Sequence, residues 1–190
     1  PPRKPQDEPP QLGLRRLTIK APAELPYVLM AYRVPGIKKP AEDWEPYALD
    51  MLESILSGND AARLPRTLVK TDLVATSAGA SYDGIGRGPA FFYLSGSPVA
   101  GRSAEQLEQS LRGEVKRVVD EGVTDEELNR VKAQVVAAQV YQRDSMFFQA
   151  RQIGSMETIG FSYRDLDLYI EKLKQVTAGQ VQEVARKYLI

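Results

Sequence analysis

Neither histidine nor cysteine occurs in the 190-residue chain, so any chemistry must be carried by carboxylates, hydroxyls, phenols, lysines and arginines. Histidine is the side chain that exchanges protons near neutral pH without special surroundings, and it is the commonest metal ligand. Cysteine supplies the thiolate nucleophile and the soft ligand. A His-containing zinc site, a Ser-His-Asp triad and a Cys-His dyad are therefore beyond the chain's own residues. Ser54, Ser57 and Ser145 lack a base that works at neutral pH, so none is assigned as a nucleophile. The sequence assigns no catalytic and no metal-ligating residue.

Three other clusters have chemical potential. Gly84-x-Gly86-x-Gly88 has the look of a phosphate cradle, but such a loop must open directly into a helix. Here AFFYL follows, which reads as a strand, so the glycines are expected to form a hairpin loop. Asp120-Glu121 and Asp125-Glu126-Glu127 fall at a helix end and a helix start, where the latter group favours the positive end of the dipole. Arg63, Arg66 and Lys70 surround a short helical turn. They form a solvated basic face or, alternatively, present one or two forks to a bound peptide's carbonyls and carboxylates. Tyr82, at the end of the next strand, joins them or packs in the core. Arg63, Arg66 and Tyr82 are the substrate-contact candidates.

The elements that must position these residues are legible from periodicity and caps. Residues 14–20 and 27–34 are expected as strands, the second placed centrally because YVLMAY is apolar throughout. A helix should start with Asp43 as N-cap and end at Gly58, with Leu49, Leu52, Ile55 and Leu56 on one stripe. Strands at 73–82 and 90–97 follow, the first built of small residues on both faces. Helices then fill the rest. Ser103 with Gln106, Thr124 with Glu127 and Thr177 with Gln180 have capping-box spacing, and Gly122 ends the first of these helices. Further helices are expected over 145–159 and 163–174. Short connections between strands imply antiparallel pairing, so the expected fold is α+β, an antiparallel-dominated sheet with helices packed mainly on one face.

Composition sets the outer bounds. Twenty-five basic residues balance 25 acidic ones, so no net field steers the chain to nucleic acid. No apolar run approaches the roughly 20 residues of a membrane span. Residues 1–13, with five prolines among polar residues, read as a linker or tail, and 14–190 as a single domain. The opening also lacks the apolar stretch of a signal peptide.

Several stretches together resemble one family. PYVLMAYRVPG is similar to the opening strand of a half-unit in the pitrilysin/insulinase-like zinc peptidases. So are LESILSG followed by Arg63-Leu64, the junction EGVTDEEL, and the closing stretch from Val176-Thr177 to Tyr188-Leu189. In that family two similar α+β halves enclose a chamber for unfolded peptides, and one half binds zinc through an inverted H-x-x-E-H motif whose Glu activates water. Without histidine, this chain resembles the C-terminal, inactive half.

The resemblance implies a non-catalytic half of a bipartite zinc metalloendopeptidase, forming chamber wall and substrate-contact surface. Zinc and the catalytic Glu would come from a separate half, on the same polypeptide or another subunit, and this chain would bind no cofactor itself. Exported bacterial relatives imply a periplasmic location, although a chain without cysteine fits the cytosol equally. One departure stands out. Family members place an Arg and, seven residues later, a Tyr against substrate, whereas the matching positions here are Val69 and Thr76. Moving Arg66 into register puts Leu73 at the tyrosine place. The alternative implied by that loss is a structural or assembly subunit of the same fold with no proteolytic role.

Overall fold

The computed structural model describes residues 13–20, 22–142 and 144–190, without the side chains at 139, 140 and 142. Apart from Gly13, the proline-rich stretch lies outside the described residues.

Three strands, β1 (Val28–Val34), β2 (Ala75–Tyr82) and β3 (Ala90–Pro98), form an antiparallel sheet in the order β1-β3-β2. Alternation along β3 is strict, with Phe92 and Leu94 buried and Phe91 and Tyr93 turned to the other side. Phe92 lies opposite Tyr32 in β1 and Tyr82 in β2, which sets one face of the sheet. Gly96 of β3 lies opposite Ala78, just past the irregularity that sets Ala75 against Pro98 and Ser77 against Ser97. A Cβ on Gly96 would lie 2.3 Å from the Ser77 carbonyl oxygen, so the close approach requires glycine there.

Six α-helices are described: α1 (Glu45–Ser57), α2 (Ala104–Glu121), α3 (Asp125–Gln142), α4 (Met146–Ile159), α5 (Asp165–Gln175) and α6 (Ala178–Tyr188). A π-helical segment, Pro65–Thr71, links α1 to β2. Leu49, Leu52 and Leu56 of α1, Leu107, Leu111 and Val118 of α2, and Val181 and Val184 of α6 join Phe92 and Leu94 in one buried cluster. The fold is thus α+β with its helices gathered on one sheet face. On the opposite face Leu29, Ala31 and Arg33 are exposed, and they lie across from Ser95, Tyr93 and Phe91.

The capping boxes at α2 and α6 form as their spacing requires. Ser103 Oγ accepts from Gln106 N at 3.2 Å while Gln106 Oε1 accepts from Ser103 N at 2.9 Å. Thr177 and Gln180 repeat both bonds at 3.2 and 2.9 Å. Each pair satisfies two orphan amides at a helix start. Gly122, at φ +78°, turns the chain out of α2 in a conformation that β-carbons resist.

Four expectations need correction. Residues 14–20 form no strand, and all seven are exposed. The 27–34 run is an edge strand, because its apolar side chains serve two surfaces: Val28, Met30 and Tyr32 pack on the core, while Leu29 and Ala31 face outward. Asp43 does not cap α1. Its Oδ2 accepts from the amides of Lys38 and Lys39 at 2.7 and 2.9 Å, and Trp44 holds the N-cap position. The strand expected over 73–82 begins only at Ala75, as β2, because Leu73 takes a left-handed turn at φ +51° on leaving the π-helical segment.

Candidate functional site

The π-helical segment and the α2–α3 junction bring Arg63 and Arg66 to one cleft of about 290 Å3. Arg63 sits just before the segment, and one side of its fork is engaged. Nε donates to Glu127 Oε1 at 2.9 Å, and Nη2 donates to Glu127 Oε2 at 2.6 Å and to the Gly122 carbonyl at 3.1 Å. Both side chains are mostly buried, at 14% and 15% exposure. This pair also explains what becomes of the expected box at α3. Glu127 N donates to Thr124 Oγ1 at 3.1 Å, while the Glu127 carboxylate is taken up by Arg63.

Arg66 lies one turn later with its side chain exposed along the same cleft. Across from it Arg117 is paired to the buried Glu114 at 3.0 Å and approaches Glu121 at 3.9 Å. Arg130 of α3 also lines the wall. The cleft therefore mixes internally paired charge with exposed guanidinium groups, whose planar forks can donate to carbonyl and carboxylate oxygens. Lys70 lies outside this wall and donates to the Asp60 carbonyl at 2.8 Å.

Tyr82 is placed elsewhere. Its hydroxyl donates to the Pro35 carbonyl at 2.7 Å, and its ring stacks on Phe92 with centroids 6.2 Å apart. Burial first, and then the nearby Asp50 and Asp83 charges, push its phenol far above the ordinary tyrosine range. Tyr82 stays neutral and acts as a donor that fixes the end of β2 against the loop after β1.

Beside Tyr82, α1 carries two acids that motif reading passed over. Burial raises the Asp50 carboxyl, although the Tyr169 hydroxyl of α5 donates to it and works in the opposite direction. Burial also raises Glu53, to about 7, helped by the Asp50 charge and opposed by a 3.4 Å hydrogen bond from Ser54 Oγ. Tyr47 and Tyr169 rings meet 5.3 Å apart alongside. The available signal was two carboxylates three residues apart on the one less apolar side of a helix whose remaining circumference is buried.

The offsets of Asp50, Glu53 and Ser54 are those of H-x-x-E-H, with both imidazoles replaced. A zinc ion does not fit these donors. Serine is a poor ligand, Asp50 is engaged by Tyr169, and no third His, Cys, Asp or Glu converges on them among the described residues. The glycines at 84, 86 and 88 lie in the β2–β3 loop, where Gly84 O accepts from Ile37 N at 2.8 Å and no helix follows.

Comparison with known proteins decides the family. The description "Peptidase M16 inactive domain" matches residues 1–135, well over half of the chain. The chain belongs to the M16 inactive-domain family. Among solved structures, this M16 inactive domain is similar to a protease from Helicobacter pylori, at TM-score 0.80 and 19% identity, over 90% of this chain and 40% of that one. It is also similar to the inactive peptidase domain of a putative zinc protease from Bordetella parapertussis, at TM-score 0.75 and 20% identity, over 92% and 89%. A third similarity is to the periplasmic protease PqqL from Escherichia coli, at TM-score 0.62 and 17% identity, over 86% and 17%. At these identities the likeness is one of fold. The M16 inactive domain spans less than half the length of the H. pylori protease. No curated protein sequence matches the chain.

Proposed function

We propose that the chain is the non-catalytic half of a bipartite zinc metallopeptidase, lining a chamber and contacting unfolded peptides. The observation that carries this is a match to an inactive peptidase domain in a chain without one imidazole. Zinc and the water-activating Glu then belong to a catalytic half bearing H-x-x-E-H, fused to this chain or separate from it, and this chain holds no cofactor.

In this reading the cleft supplies the substrate contacts. Arg66 offers an open guanidinium to peptide carbonyls and acidic side chains, and Arg63 fixes the cleft wall through Glu127. Tyr82, away from this cleft, holds the end of β2 through Pro35 and contributes no substrate contact there. Balanced charge leaves nucleic acid out as a partner, and among the described residues no helix is long and apolar enough to cross a membrane. The likeness to a periplasmic protease supports a periplasmic location.

Elemental analysis of the purified chain is expected to find no stoichiometric zinc, and a quenched-fluorescent unstructured peptide should stay intact. Adding a catalytic half should produce cleavage that Arg66→Ala weakens mainly through KM. Zinc-dependent cleavage by the isolated chain would refute the proposal.

A further inference from the structure

An open sheet must dispose of its edges, because a row of unpaired N–H and C=O groups invites another strand. Among the described residues β1 pairs only with β3, so its outer edge carries no strand. Ahead of it in the chain comes a segment with strand composition and no ladder: residues 14–20, LRRLTIK, in which Leu14, Leu17 and Ile19 are 74%, 82% and 77% exposed. No backbone hydrogen bond joins these residues to a strand among the described residues. The segment and β1 are matched at seven residues each.

A chain of polar contacts holds the segment where it is. Arg16 Nη2 reaches both Glu108 oxygens, at 2.9 and 2.7 Å. Glu108 also accepts from Arg112 Nε at 3.0 Å, and Arg112 Nη1 reaches the Tyr32 hydroxyl of β1 at 3.5 Å. The segment is thus tethered to α2 beside β1, with its backbone outside the sheet. Pro22 and Pro26 stand near the two ends of the connection, 21–27, that leads to β1. Each fixes φ and removes a backbone donor, so neither position can extend a ladder between the segment and its own β1.

We propose that residues 14–20 are an exchange strand: in a dimer of this chain, each copy lays its segment along the outer edge of the other copy's β1. Among the described residues every copy carries both a segment and a strand edge without a ladder partner, so a twofold arrangement satisfies both at once. Main-chain bonds provide the affinity and Leu17 and Ile19 the selectivity, as in strand addition generally. The exchange also covers Tyr27 and Leu29, 63% and 59% exposed beside that edge. This inference stands on the edge geometry and does not depend on the peptidase reading.

Because the chain has no cysteine, engineered thiols report the geometry cleanly. A Leu17→Cys chain is mixed in turn with Leu29→Cys and Ala31→Cys chains and gently oxidised. Exchange yields a disulfide between the two different chains as the main product, and the unmodified chain sediments at twice its monomer mass. Thr18→Pro removes a ladder donor from an exposed residue, so it should weaken the dimer about tenfold or more without altering the far-ultraviolet dichroism. An internal disulfide in a monomer carrying Cys at 17 and 29 would show the segment returning to its own β1 and overturn the proposal. A chain that stays monomeric, or a dimer indifferent to Thr18→Pro and to removal of residues 1–20, would overturn it equally.

Discussion

Replacing Glu53 with glutamine should change how stability depends on pH. Glu53 is held on α1 beside Asp50, and burial raises its carboxyl from 4.5 to about 7. Between those two values the folded protein keeps a proton that the unfolded chain releases. Stability must then fall as pH rises through this window and stay lower above it. The full gap corresponds to at most about 3 kcal/mol. Because Glu53 is only half-buried, solvent screening reduces the expected loss to about 1–2 kcal/mol. Glu53→Gln keeps the shape and the Ser54 contact while removing the charge. Urea denaturation should find the two proteins alike near pH 5 and the variant more stable by about 1–2 kcal/mol near pH 8. An unchanged pH profile in Glu53→Gln, or a wild-type protein that gains stability from pH 5 to 7, would refute the reasoning.

Arg63→Ala leaves the mostly buried Glu127 without its partner and frees the Gly122 carbonyl, so it should cost about 2–4 kcal/mol by chemical denaturation. Glu127→Gln should cost less, because its amide oxygen can still accept from Arg63 and the Arg63 bond to the Gly122 carbonyl is kept. Gly96→Ala drives a methyl against the Ser77 carbonyl, and a loss of about 1–3 kcal/mol is expected in the same assay.

Most of the helical architecture was legible in the sequence because its signals are local. Ser103–Gln106 and Thr177–Gln180 close within four residues, so their geometry depends on no distant contact. The half-formed box at Thr124–Glu127 marks the limit. Its first bond forms locally, but its carboxylate is claimed by Arg63, 64 residues away in sequence. The candidate site divides in the same way. That arginines flank the turn before β2 was readable, whereas Arg63 being engaged and Arg66 open follows from how α2 and α3 meet the π-helical segment.

What the sequence determined by itself is the exclusion of imidazole and thiol chemistry, the α+β class and the order of elements from β1 onward, since composition and periodicity need no partner. Only the tertiary structure decided that, among the described residues, β1 lies at an edge and 14–20 joins no ladder, and that Tyr82 is apart from the arginines. A run of apolar side chains records how many surfaces a strand serves, not whether those surfaces are covered by its own chain. That distinction arises from contacts across the fold, which no local pattern encodes.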